Sequence, residues 1–409
     1  MPEIDGTQNW ILIFLEKKSN MTRIETLAIH TGEEDLKLKN GSITKSKGKI
    51  FNFKDTKQII DFYEGRLEGI KYGRYGNIIQ QAVEEKISAL ENTERALLFS
   101  SGMSAFITTI FSLTEKGDNI IFINDCYRNE RKFLNSILPK YGITTTPINV
   151  EDIEKIKDYI QPKTRLFFSE FPTNPFLRII DIERVINILK EKKIISIIDS
   201  TFATPINFNP QRYGADIILH SATKYLSGHN DLFAGVVAGS LEFLEKVQEY
   251  RDVFGTIIED EDSSYLLLRS LKTLPIRMNE LNKNGLKIAS YLENHNKVEK
   301  VFYPGIKSHP DYELAKKYLK GFGSVITFYL KATEKQTSKF IDNLKIPYIA
   351  SNFGGLESVI EQHALHTFYN DKEFAEKIGI TGNLVRFSVG MEHYKDLMKD
   401  LEQALDKIN

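Results

Sequence analysis

A lysine that follows two hydroxyl side chains, directly after a short apolar run, is the most informative chemical feature of the sequence. The run DIIL at 216–219 leads into HSATKY at 220–225, which contains Ser221, Thr223 and Lys224. A lysine held away from water is neutral part of the time and can then join a carbonyl carbon as an imine. The two hydroxyls can donate to phosphate oxygens beside that imine. A bare S-x-T-K motif is usually a surface lysine after a strand, so other segments must support this interpretation.

Two further segments supply partners for a phosphorylated ring. Asp199 ends the apolar run IISII at 194–198, where a carboxylate is costly without a cationic partner such as a protonated pyridine nitrogen. Keeping that nitrogen protonated makes the ring an electron sink. Ser101, Gly102 and Met103 lie between a strand-like run and an apolar helix, where a glycine and the helix N-terminal amides can bind phosphate. The alternative interpretation of Asp199 is a residue that caps a helix or orders a turn.

The bulk composition excludes several classes of protein. The chain has 409 residues, a formal net charge of −1 and a single cysteine, Cys126. A charge this close to zero gives no support for binding nucleic acid or an anionic membrane. One cysteine cannot form an intrachain disulfide and fits a reducing compartment, so we expect a cytoplasmic protein in which Cys126 is structural.

The N-terminal segment contains an apolar run, NWILIFL at 9–15, that is too short to span a bilayer. It lacks the basic region and the cleavage site of a signal peptide. We expect residues 1–20 to be a disordered extension and Met21 to be a second plausible start.

The order of apolar runs predicts two domains. Helical spacing at 77–91 is followed by short apolar runs that alternate with helical stretches. Such strands imply a mainly parallel sheet covered on both faces, with ligands at the carboxyl ends of its strands. After about residue 260, a long helical region, a strand at 324–330 and an amphipathic helix from about Tyr394 predict a smaller α+β domain. The strands expected in the larger domain are 95–99, 119–123, 165–168, 194–198, 216–219 and 235–238.

Three segments carry a resemblance to a known family: IIDSTFATP at 197–205, HSATKYLSGHNDLFAGVV at 220–237 and LVRFSVGMEHYKDL at 384–397. From about Arg23 to the C-terminus the chain resembles the pyridoxal-5′-phosphate (PLP) enzymes of cysteine and methionine metabolism, the trans-sulfuration family. This family includes cystathionine γ-synthases, γ-lyases, β-lyases and O-acylhomoserine sulfhydrylases. The resemblance implies a fold-type-I transferase with a mainly parallel seven-stranded sheet, a smaller C-terminal α+β domain and assembly as a homotetramer of two catalytic dimers.

The resemblance also implies roles for individual residues around the cofactor. Lys224 would hold PLP as a Schiff base and shuttle a proton between substrate carbons, and Asp199 would pair with the ring nitrogen. Tyr127, in DCYRNE, would stack on the ring, and Asn174, in FPTNP, would lie near the ring hydroxyl. The residues expected to hold the phosphate are Gly102, Met103, Ser221 and Thr223.

The substrate and the neighbouring subunit would be contacted by other residues. Arg386, in LVRFS, would clamp the substrate carboxylate bidentately, and Asn352 is expected to contact the substrate. Tyr72 and Arg74, in KYGRYGN, would reach the phosphate of the neighbouring subunit, which makes residues 21–76 an arm and the active site a shared one. We expect the large PLP-binding domain at 77–260 and the C-terminal domain at 261–409. No metal site is expected.

Several segments depart from the family pattern. The Asn-Pro-Thr of the family is Asn-Ile-Ile at 77–79, and the Gly-Gly pair after the stacking tyrosine is replaced by RNER at 128–131. EQHALHTFYN at 361–370 replaces a stretch with histidine–proline and methionine–threonine–histidine, and the Pro-Pro-Ile segment is missing near Ile43. The turn at 352–355 has Asn-Phe-Gly-Gly in place of Ser-Leu-Gly-Gly, as in the sulfhydrylases. We infer a conserved cofactor site and a specialised substrate.

The resulting hypothesis is γ-elimination or γ-replacement on a Cγ-substituted amino acid. The expected catalytic residues are Lys224, Tyr127, Tyr72 and Asp199, with Tyr72 assisting departure of the Cγ substituent. Attack by a thiol co-substrate would give replacement, whereas hydrolysis to a 2-oxo acid would give elimination. The segment GHND at 228–231 favours the γ-synthase and γ-lyase branch. The alternatives are a cystathionine β-lyase, an O-acylhomoserine sulfhydrylase, an aminotransferase and a protein that binds PLP without turnover.

Overall fold

The computed structural model describes residues 23–33, 36, 50, 52–67, 69, 72–258 and 261–408. The extension expected at residues 1–20, the second start at Met21 and the departure near Ile43 lie outside this part of the chain. Among the described residues, no helix is long and apolar enough to cross a membrane. The same residues contain no group of three or more histidine, cysteine, aspartate or glutamate side chains that could hold a metal ion.

A seven-stranded sheet forms the centre of the larger part of the chain. Its strands are β1 (Arg95–Phe99), β2 (Asn119–Ile123), β3 (Thr144–Ile148), β4 (Thr164–Glu170), β5 (Ile195–Asp199), β6 (Ile217–Ser221) and β7 (Gly235–Gly239). In space they follow the order β1-β7-β6-β5-β4-β2-β3. The pairs among β2 to β6 are parallel, whereas β7 runs antiparallel to its neighbours β1 and β6. The prediction of a mainly parallel sheet is confirmed.

Helices cover both faces of this sheet, as the uniformly apolar strands predict. Successive residues of a strand point to opposite faces. Leu97 and Leu219 accordingly belong to one buried cluster, and Leu98 and Ile218 to another. The helices of this part are α1 (Ile24–His30), α2 (Thr56–Tyr63), α3 (Ile78–Glu91), α4 (Gly102–Leu113), α5 (Arg128–Lys132), α6 (Ile156–Tyr159), α7 (Ile182–Glu191), α8 (Thr204–Asn207) and α9 (Leu241–Phe254).

The sequence did not predict β3, because its residues do not have the apolar pattern of the other strands. This strand reads TTTPI and lies at the edge of the sheet, where several of its residues are exposed to solvent. An edge position tolerates Pro147, since one side of the strand has no ladder partner. The edge position of β3 therefore explains its polar composition, and this composition is why the sequence did not predict the strand.

The C-terminal part forms a second, five-stranded sheet with the order β10-β11-β12-β9-β8. Its strands are β8 (Val298–Phe302), β9 (Val325–Leu330), β10 (Tyr348–Ile349), β11 (Val359–Gln362) and β12 (Leu384–Ser388). Its helices are α10 (Glu261–Leu271), α11 (Leu274–Glu293), α12 (Tyr312–Tyr318), α13 (Glu334–Asp342), α14 (His363–His366), α15 (Lys372–Lys377) and α16 (Tyr394–Leu405). The expected smaller α+β unit is confirmed, including the amphipathic helix that begins at Tyr394.

A buried ion pair fastens α1 to α3. The ammonium of Lys86 donates to Oε1 of Glu33 at 3.0 Å and to the carbonyl oxygens of Ala28 and Ile29 at 2.9 and 3.2 Å. Both charged side chains are almost fully buried. Lys272, which is partly exposed, donates to the other oxygen of Glu33 at 2.6 Å. The carboxylate thus joins α1, α3 and the segment after α10.

Removal of the buried member of this network is expected to destabilise the fold strongly. We expect Lys86→Met to lower the free energy of unfolding by about 3–5 kcal/mol, because it removes the buried cation from a buried carboxylate. The matched variant Lys272→Met removes a partly exposed partner of the same carboxylate and should cost about 1 kcal/mol or less. Urea denaturation followed by circular dichroism measures both. Equal losses in the two variants would contradict this account of the network.

Candidate active site

Lys224 follows β6 and contacts the segment between β10 and β11 of the second sheet. Its ammonium donates to Oδ1 of Asn352 and lies 5.1 Å from the ring centre of Phe353. Burial, assisted by the positive charge of Arg386, lowers the pKa of Lys224 to about 8. A substantial fraction of the amine is therefore neutral near physiological pH, which is the form that attacks a carbonyl carbon and accepts a proton.

The N-terminus of α4 meets the end of β6 at Gly102. A Cβ on residue 102 would lie 2.9 Å from the Cβ of Ser221, so only glycine allows this approach. Ser101 caps the helix by accepting from the N–H of Ser104 at 3.1 Å, while the Ser104 hydroxyl accepts from the N–H of Ser101. The helix N-terminal amides and the Ser221 hydroxyl lie side by side, as an anion site requires.

The other two residues predicted for the phosphate have different surroundings. Thr223 donates its hydroxyl to the carbonyl oxygen of Ala234 at 3.3 Å and accepts from the N–H of the same residue at 3.0 Å. Met103 follows Gly102 in the first turn of α4, and its side chain packs against an apolar cluster of the large sheet. Met103 would therefore contribute its backbone amide, and the hydroxyl of Thr223 is already engaged.

Asp199 ends β5, two strands away from β7 in the same sheet. It accepts from the N–H of Thr201 at 2.8 Å. Burial raises the pKa of Asp199, and hydrogen bonds from Thr201 oppose that rise. Within the described part of the chain, no lysine or arginine neutralises this carboxyl group. A cationic group of a ligand would supply the missing partner.

Tyr127 lies at the N-terminus of α5 with its side chain 43% exposed. Its backbone N–H donates to Oε1 of Glu170 at 2.6 Å, and its hydroxyl accepts from Asn129 at 3.1 Å. Burial and the nearby Glu130 raise the pKa of Tyr127. The ring is thus fastened through its backbone and open to solvent on part of its surface, as expected for an aromatic side chain that stacks on a ligand.

A pair of buried carboxyl groups supports this tyrosine. Glu130 and Glu170 hydrogen-bond each other, and each has a second buried oxygen, Oε2, without a hydrogen-bond partner. Burial and the proximity of Asp199 raise the pKa of both glutamates well above the usual value. At least one proton therefore resides on the pair at neutral pH, because two adjacent buried carboxylates cannot both be charged at low cost.

The proton on this pair makes stability dependent on pH in a defined direction. Because the pKa of Glu130 is raised in the folded state, its stabilising contribution is lost as the pH rises through that raised value. We expect Glu130→Gln to remove much of this loss, so that its free energy of unfolding exceeds that of the wild type by an amount that grows as the pH rises above the usual glutamate pKa of about 4.5. The exposed Glu373→Gln is the control. Parallel wild-type and Glu130→Gln profiles in urea denaturation would refute a protonated pair.

Arg386 lies on β12 with only 7% of its surface exposed. One terminal nitrogen, Nη1, donates to Oδ1 of Asn174 at 3.1 Å, and the other, Nη2, lies 2.7 Å from Oε1 of Glu361. Asn352 accepts from Lys224 and donates to Asn230 at 2.8 Å. Asn174 and Arg386 thus line one cleft, and the ring centre of Phe353 lies 6.0 Å from the Arg386 guanidinium and 5.1 Å from the Lys224 amine, which Asn352 contacts. The structure also adds an acidic partner of Arg386.

The substituted segment at 128–131 lines the same cleft. Arg128 and Arg131 lie there with Tyr127, Asn174 and Arg386. The guanidinium of Arg131 lies 4.5 Å from the ring centre of Phe374, and that of Arg128 lies 6.0 Å from the ring centre of Phe368. Two arginines of the segment that replaces the expected Gly-Gly pair therefore line the cleft and give this part of it positive charge.

Tyr72 and Arg74 are not part of this cluster of contacts. Tyr72 is 43% exposed and pairs through its backbone with Ile50, and the guanidinium of Arg74 lies 5.6 Å from the ring centres of Tyr72 and Tyr75. Their predicted contact is with a neighbouring subunit, so a single chain neither supports nor contradicts it.

Sequence reasoning missed three acidic residues and one histidine of the site: Glu130, Glu170, Glu361 and His363. Glu170 ends the buried strand β4, beside Asp199 in the parallel ladder, so the argument that identified Asp199 applies to it equally. Glu130 and Glu361 stand within segments that depart from the family pattern, and their partners come from other elements. No local pattern in the sequence reveals those contacts.

The residues present fit PLP. The helix N-terminus at Gly102 and the Ser221 hydroxyl suit a phosphate, and the amine of Lys224 has the lowered pKa that an aldehyde partner needs. Among the described residues, no lysine or arginine and only the charge of His220 acts on the carboxyl group of Asp199, which suits a protonated ring nitrogen. These three requirements are met on adjacent strand and helix ends of one sheet.

Comparison with known proteins identifies the family. The profile described as "Cys/Met metabolism PLP-dependent enzyme" matches residues 25–406. The chain belongs to this family. This member is 43% identical over 391 residues to "Cystathionine gamma-synthase 1, chloroplastic" of Nicotiana tabacum, which covers 94% of this chain and 72% of that protein. It is 37% identical over 389 residues to "Cystathionine gamma-lyase" of Bacillus subtilis, which covers 94% and 99% of the two chains.

A solved structure extends this comparison to the fold of the PLP-dependent enzyme. The crystal structure of cystathionine gamma-lyase from Lactobacillus plantarum, complexed with L-serine, superposes with a TM-score of 0.87 at 35% identity and covers 95% of this chain and 99% of that one. The predicted family, the fold class, the dependence on PLP and the assignment as an enzyme are confirmed.

Proposed function

We propose that this PLP-dependent enzyme catalyses γ-replacement or γ-elimination on a Cγ-substituted amino acid, as the names of its relatives indicate for those proteins. The observation that carries the proposal is that Lys224, with a pKa lowered to about 8, and the buried guanidinium of Arg386 both lie close to the ring of Phe353, at 5.1 and 6.0 Å from its centre. A base that can move a proton and a cation that can hold a carboxylate are the two groups that α-amino acid chemistry needs.

Each residue of the cleft has a distinct task in this proposal. When bound, PLP supplies an electron sink for the negative charge left on the substrate carbon. Arg386, held by its hydrogen bond to Asn174, would orient the substrate through its carboxylate. Asn174 would also lie near the ring hydroxyl of the cofactor, and Asp199 would pair with the protonated ring nitrogen. Lys224 takes the α-proton and, because its amine ends a flexible four-carbon stem, can also serve the adjacent Cβ. Loss of a Cγ substituent requires that second proton transfer, whereas loss of a Cβ substituent does not.

A substrate panel tests the reaction class. The panel contains O-acylhomoserines, cystathionine, methionine and halogenated amino acids, each with and without a thiol, and mass spectrometry identifies the products. We expect a 2-oxo acid of four carbons without thiol, or a new thioether with thiol. Pyruvate from cystathionine would favour the β-lyase alternative, and conversion of the cofactor to pyridoxamine phosphate would favour an aminotransferase. Absence of any product would overturn the proposal.

The arginines of the cleft support a preference for an anionic Cγ substituent. Arg128 and Arg131 line the cleft together with Arg386. A second negative charge on the substrate would therefore be attracted by these two guanidinium groups. We expect kcat/KM for a succinyl ester of homoserine to exceed that for the acetyl ester by roughly tenfold or more. Arg128→Gln should reduce this ratio without changing turnover of the acetyl ester. The same ratio of the two kcat/KM values in Arg128→Gln and in the wild type would contradict a role of Arg128 in this preference.

We further propose a homotetramer of two catalytic dimers, in which residues 21–76 form an arm that reaches the neighbouring active site. The apolar side chains of α2 support this, since Ile59, Ile60 and Tyr63 are exposed and no residue of the helix is buried. Tyr72 and Arg74 are also turned to solvent on this arm. The boundary between the large domain and the C-terminal domain is placed at residues 260 and 261.

Mixing inactive subunits tests the shared site. If Tyr72 acts in the neighbouring site, a Tyr72→Ala subunit paired with a Lys224→Ala subunit forms one site with both defects and one site with neither. We expect unfolding and refolding of the mixture to restore activity that neither variant has alone. Failure to restore activity, with dimers present, would place Tyr72 in its own subunit's site.

The remaining assignments are a small amino acid as substrate, a thiol as co-substrate and a cytoplasmic location. The single cysteine, which is buried, supports a reducing compartment. The pKa of the Cys126 thiol is raised well above its usual value by burial and by Glu130, which makes this residue a poor nucleophile.

A further inference from the structure

The guanidinium that would bind the substrate already holds a carboxylate of the same chain. Nη2 of Arg386 lies 2.7 Å from Oε1 of Glu361, and Nη1 donates to Asn174. Glu361 is 1% exposed and pairs in register with Arg386 across strands β11 and β12. Burial opposes its ionisation, but Arg386 and His363 hold the pKa of Glu361 at about 2. The carboxylate is therefore charged at every physiological pH.

A buried histidine contacts the same carboxylate oxygen. Nδ1 of His363 lies 2.8 Å from Oε1 of Glu361, and the histidine is 4% exposed. His366, on the same helical turn, has its Nδ1 3.7 Å from the other oxygen, Oε2, and is half exposed. Glu361 thus lies between one permanent cation and two groups that become cations when they are protonated.

The other groups around His363 come from three elements. Arg386 approaches from β12, the hydroxyl of Thr367 lies 3.4 Å from Nδ1, and the ring of Phe368 packs against the imidazole at 5.6 Å between centres. The arginines at 128 and 131 line the same cleft from α5. Burial lowers the pKa of His363 by more than the hydrogen bond and the charge of Glu361 raise it, and the charge of Arg386 adds to the lowering, so the resting state of His363 near neutral pH is uncharged.

Arrival of a substrate carboxylate upsets this balance of charge. Among the described residues, Arg386 is the one arginine or lysine in salt-bridge contact with Glu361. Glu361 and the substrate carboxylate would therefore share a single guanidinium, which is costly for two buried negative charges. A proton on His363 restores neutrality and gives Glu361 a cationic partner in place of Arg386. The proton comes from solvent, and no covalent bond other than N–H forms.

We propose that Glu361 occupies the carboxylate site of Arg386 in the resting enzyme, and that His363 takes up a proton and accepts Glu361 when the substrate carboxylate displaces it. This inference rests on the proposed function, since it requires Arg386 to bind the substrate carboxylate. His363 is a positioning residue in this scheme, because it acts on the substrate through Glu361. Both residues lie in the segment at 361–370 that departs from the family pattern.

The scheme couples binding to protons with a definite sign. Between the lowered pKa of His363 in the resting enzyme and its higher pKa in the complex, the dissociation constant of a carboxylate ligand rises tenfold for each unit of pH. Below this interval the histidine is protonated in both states, and above it in neither. Binding should therefore weaken as the pH rises through this interval and level off at both ends.

Calorimetry with butanoate tests the coupling directly. Butanoate has the carboxylate of a four-carbon substrate but no amine, so it cannot join the cofactor. The holoenzyme is titrated at pH near 7 in HEPES and in Tris, which differ in heat of ionisation, and the difference in measured heat gives the number of protons taken up. We expect an uptake approaching one proton for the wild type and close to zero for His363→Gln. The exposed His393→Gln should keep the wild-type value.

The variant Glu361→Gln distinguishes two roles of Glu361: a competitor of the ligand for Arg386, or a residue that only holds Arg386 in place. If Glu361 competes with the ligand, this variant should bind butanoate roughly tenfold more tightly, without proton uptake. If the carboxylate only holds Arg386 in place, the variant should bind more weakly. Wild-type binding without proton uptake, or weaker binding by Glu361→Gln, would overturn the inference and leave the proposed function intact. The proposed function fails separately if Arg386→Lys leaves the KM for the amino acid unchanged.

Discussion

Replacement of Lys224 by alanine is expected to reduce kcat by at least about 10³-fold, within the range that general acid–base catalysis contributes. The amine at this position has a pKa of about 8, so it can both accept and return a proton near neutral pH. Alanine removes the proton carrier and the covalent link to the cofactor together. Steady-state kinetics on the best substrate of the panel measures the loss. Turnover at the wild-type rate would contradict the assignment.

Two controls make this result specific to the amine. Lys283→Ala changes an exposed lysine that pairs with Glu280 on α11, and it should leave kcat unchanged. Addition of a small primary amine such as ethylamine should restore part of the activity of Lys224→Ala, because the variant leaves a space where the side chain was. Rescue by an amine, but not by an equal concentration of salt, would identify the lost group as a base.

The second large effect is expected at Arg386, where lysine should raise the KM for the amino acid by roughly 30-fold to 10³-fold, the equivalent of about 2–4 kcal/mol. A single ammonium cannot contact both Asn174 and a carboxylate as the planar guanidinium does. The value of kcat should change much less, because the carboxylate contact exists before and during the reaction. A drop in kcat at constant KM would contradict a role in binding.

The contact with Glu361 requires a matched control for this variant. Removal of the guanidinium leaves a buried carboxylate with fewer partners, which by itself destabilises the fold. The double variant Arg386→Gln/Glu361→Gln, compared with Arg386→Gln, removes both members of the buried pair and leaves neither charge without a partner. We expect it to recover thermal stability while the KM stays high, which would separate substrate binding from folding.

Much of the large sheet was predictable because each strand carries its own signal. The runs at 95–99 and 119–123 coincide with β1 and β2, and the runs before Asp199 and Lys224 differ from β5 and β6 by one or two residues. Strands that are buried on both faces are apolar at nearly every position. Such strands can therefore be recognised in the sequence as short apolar runs. The edge strand β3 is only partly buried and has no such pattern.

The candidate cofactor site could be proposed from the sequence for a related reason, because its residues follow strand ends and helix starts within short motifs. Gly102, Asp199 and Lys224 each lie in such a motif, and the motifs indicate the site only when they are taken together. The contacts of Glu130 with Glu170, and of Arg386 with Glu361, join elements far apart in the chain. Such contacts form only when distant elements pack together, and no local pattern in a single sequence indicates which elements these are.

Borohydride reduction of the holoenzyme, followed by proteolysis and peptide mass spectrometry, tests the central claim most directly. Reduction makes the bond between the cofactor's aldehyde carbon and a lysine amine permanent, so the modified peptide identifies the residue. We expect the pyridoxyl mass on the peptide that contains Lys224. The same mass on a different lysine, or no modified peptide from protein that carries the cofactor's absorbance, would contradict the assignment of this residue.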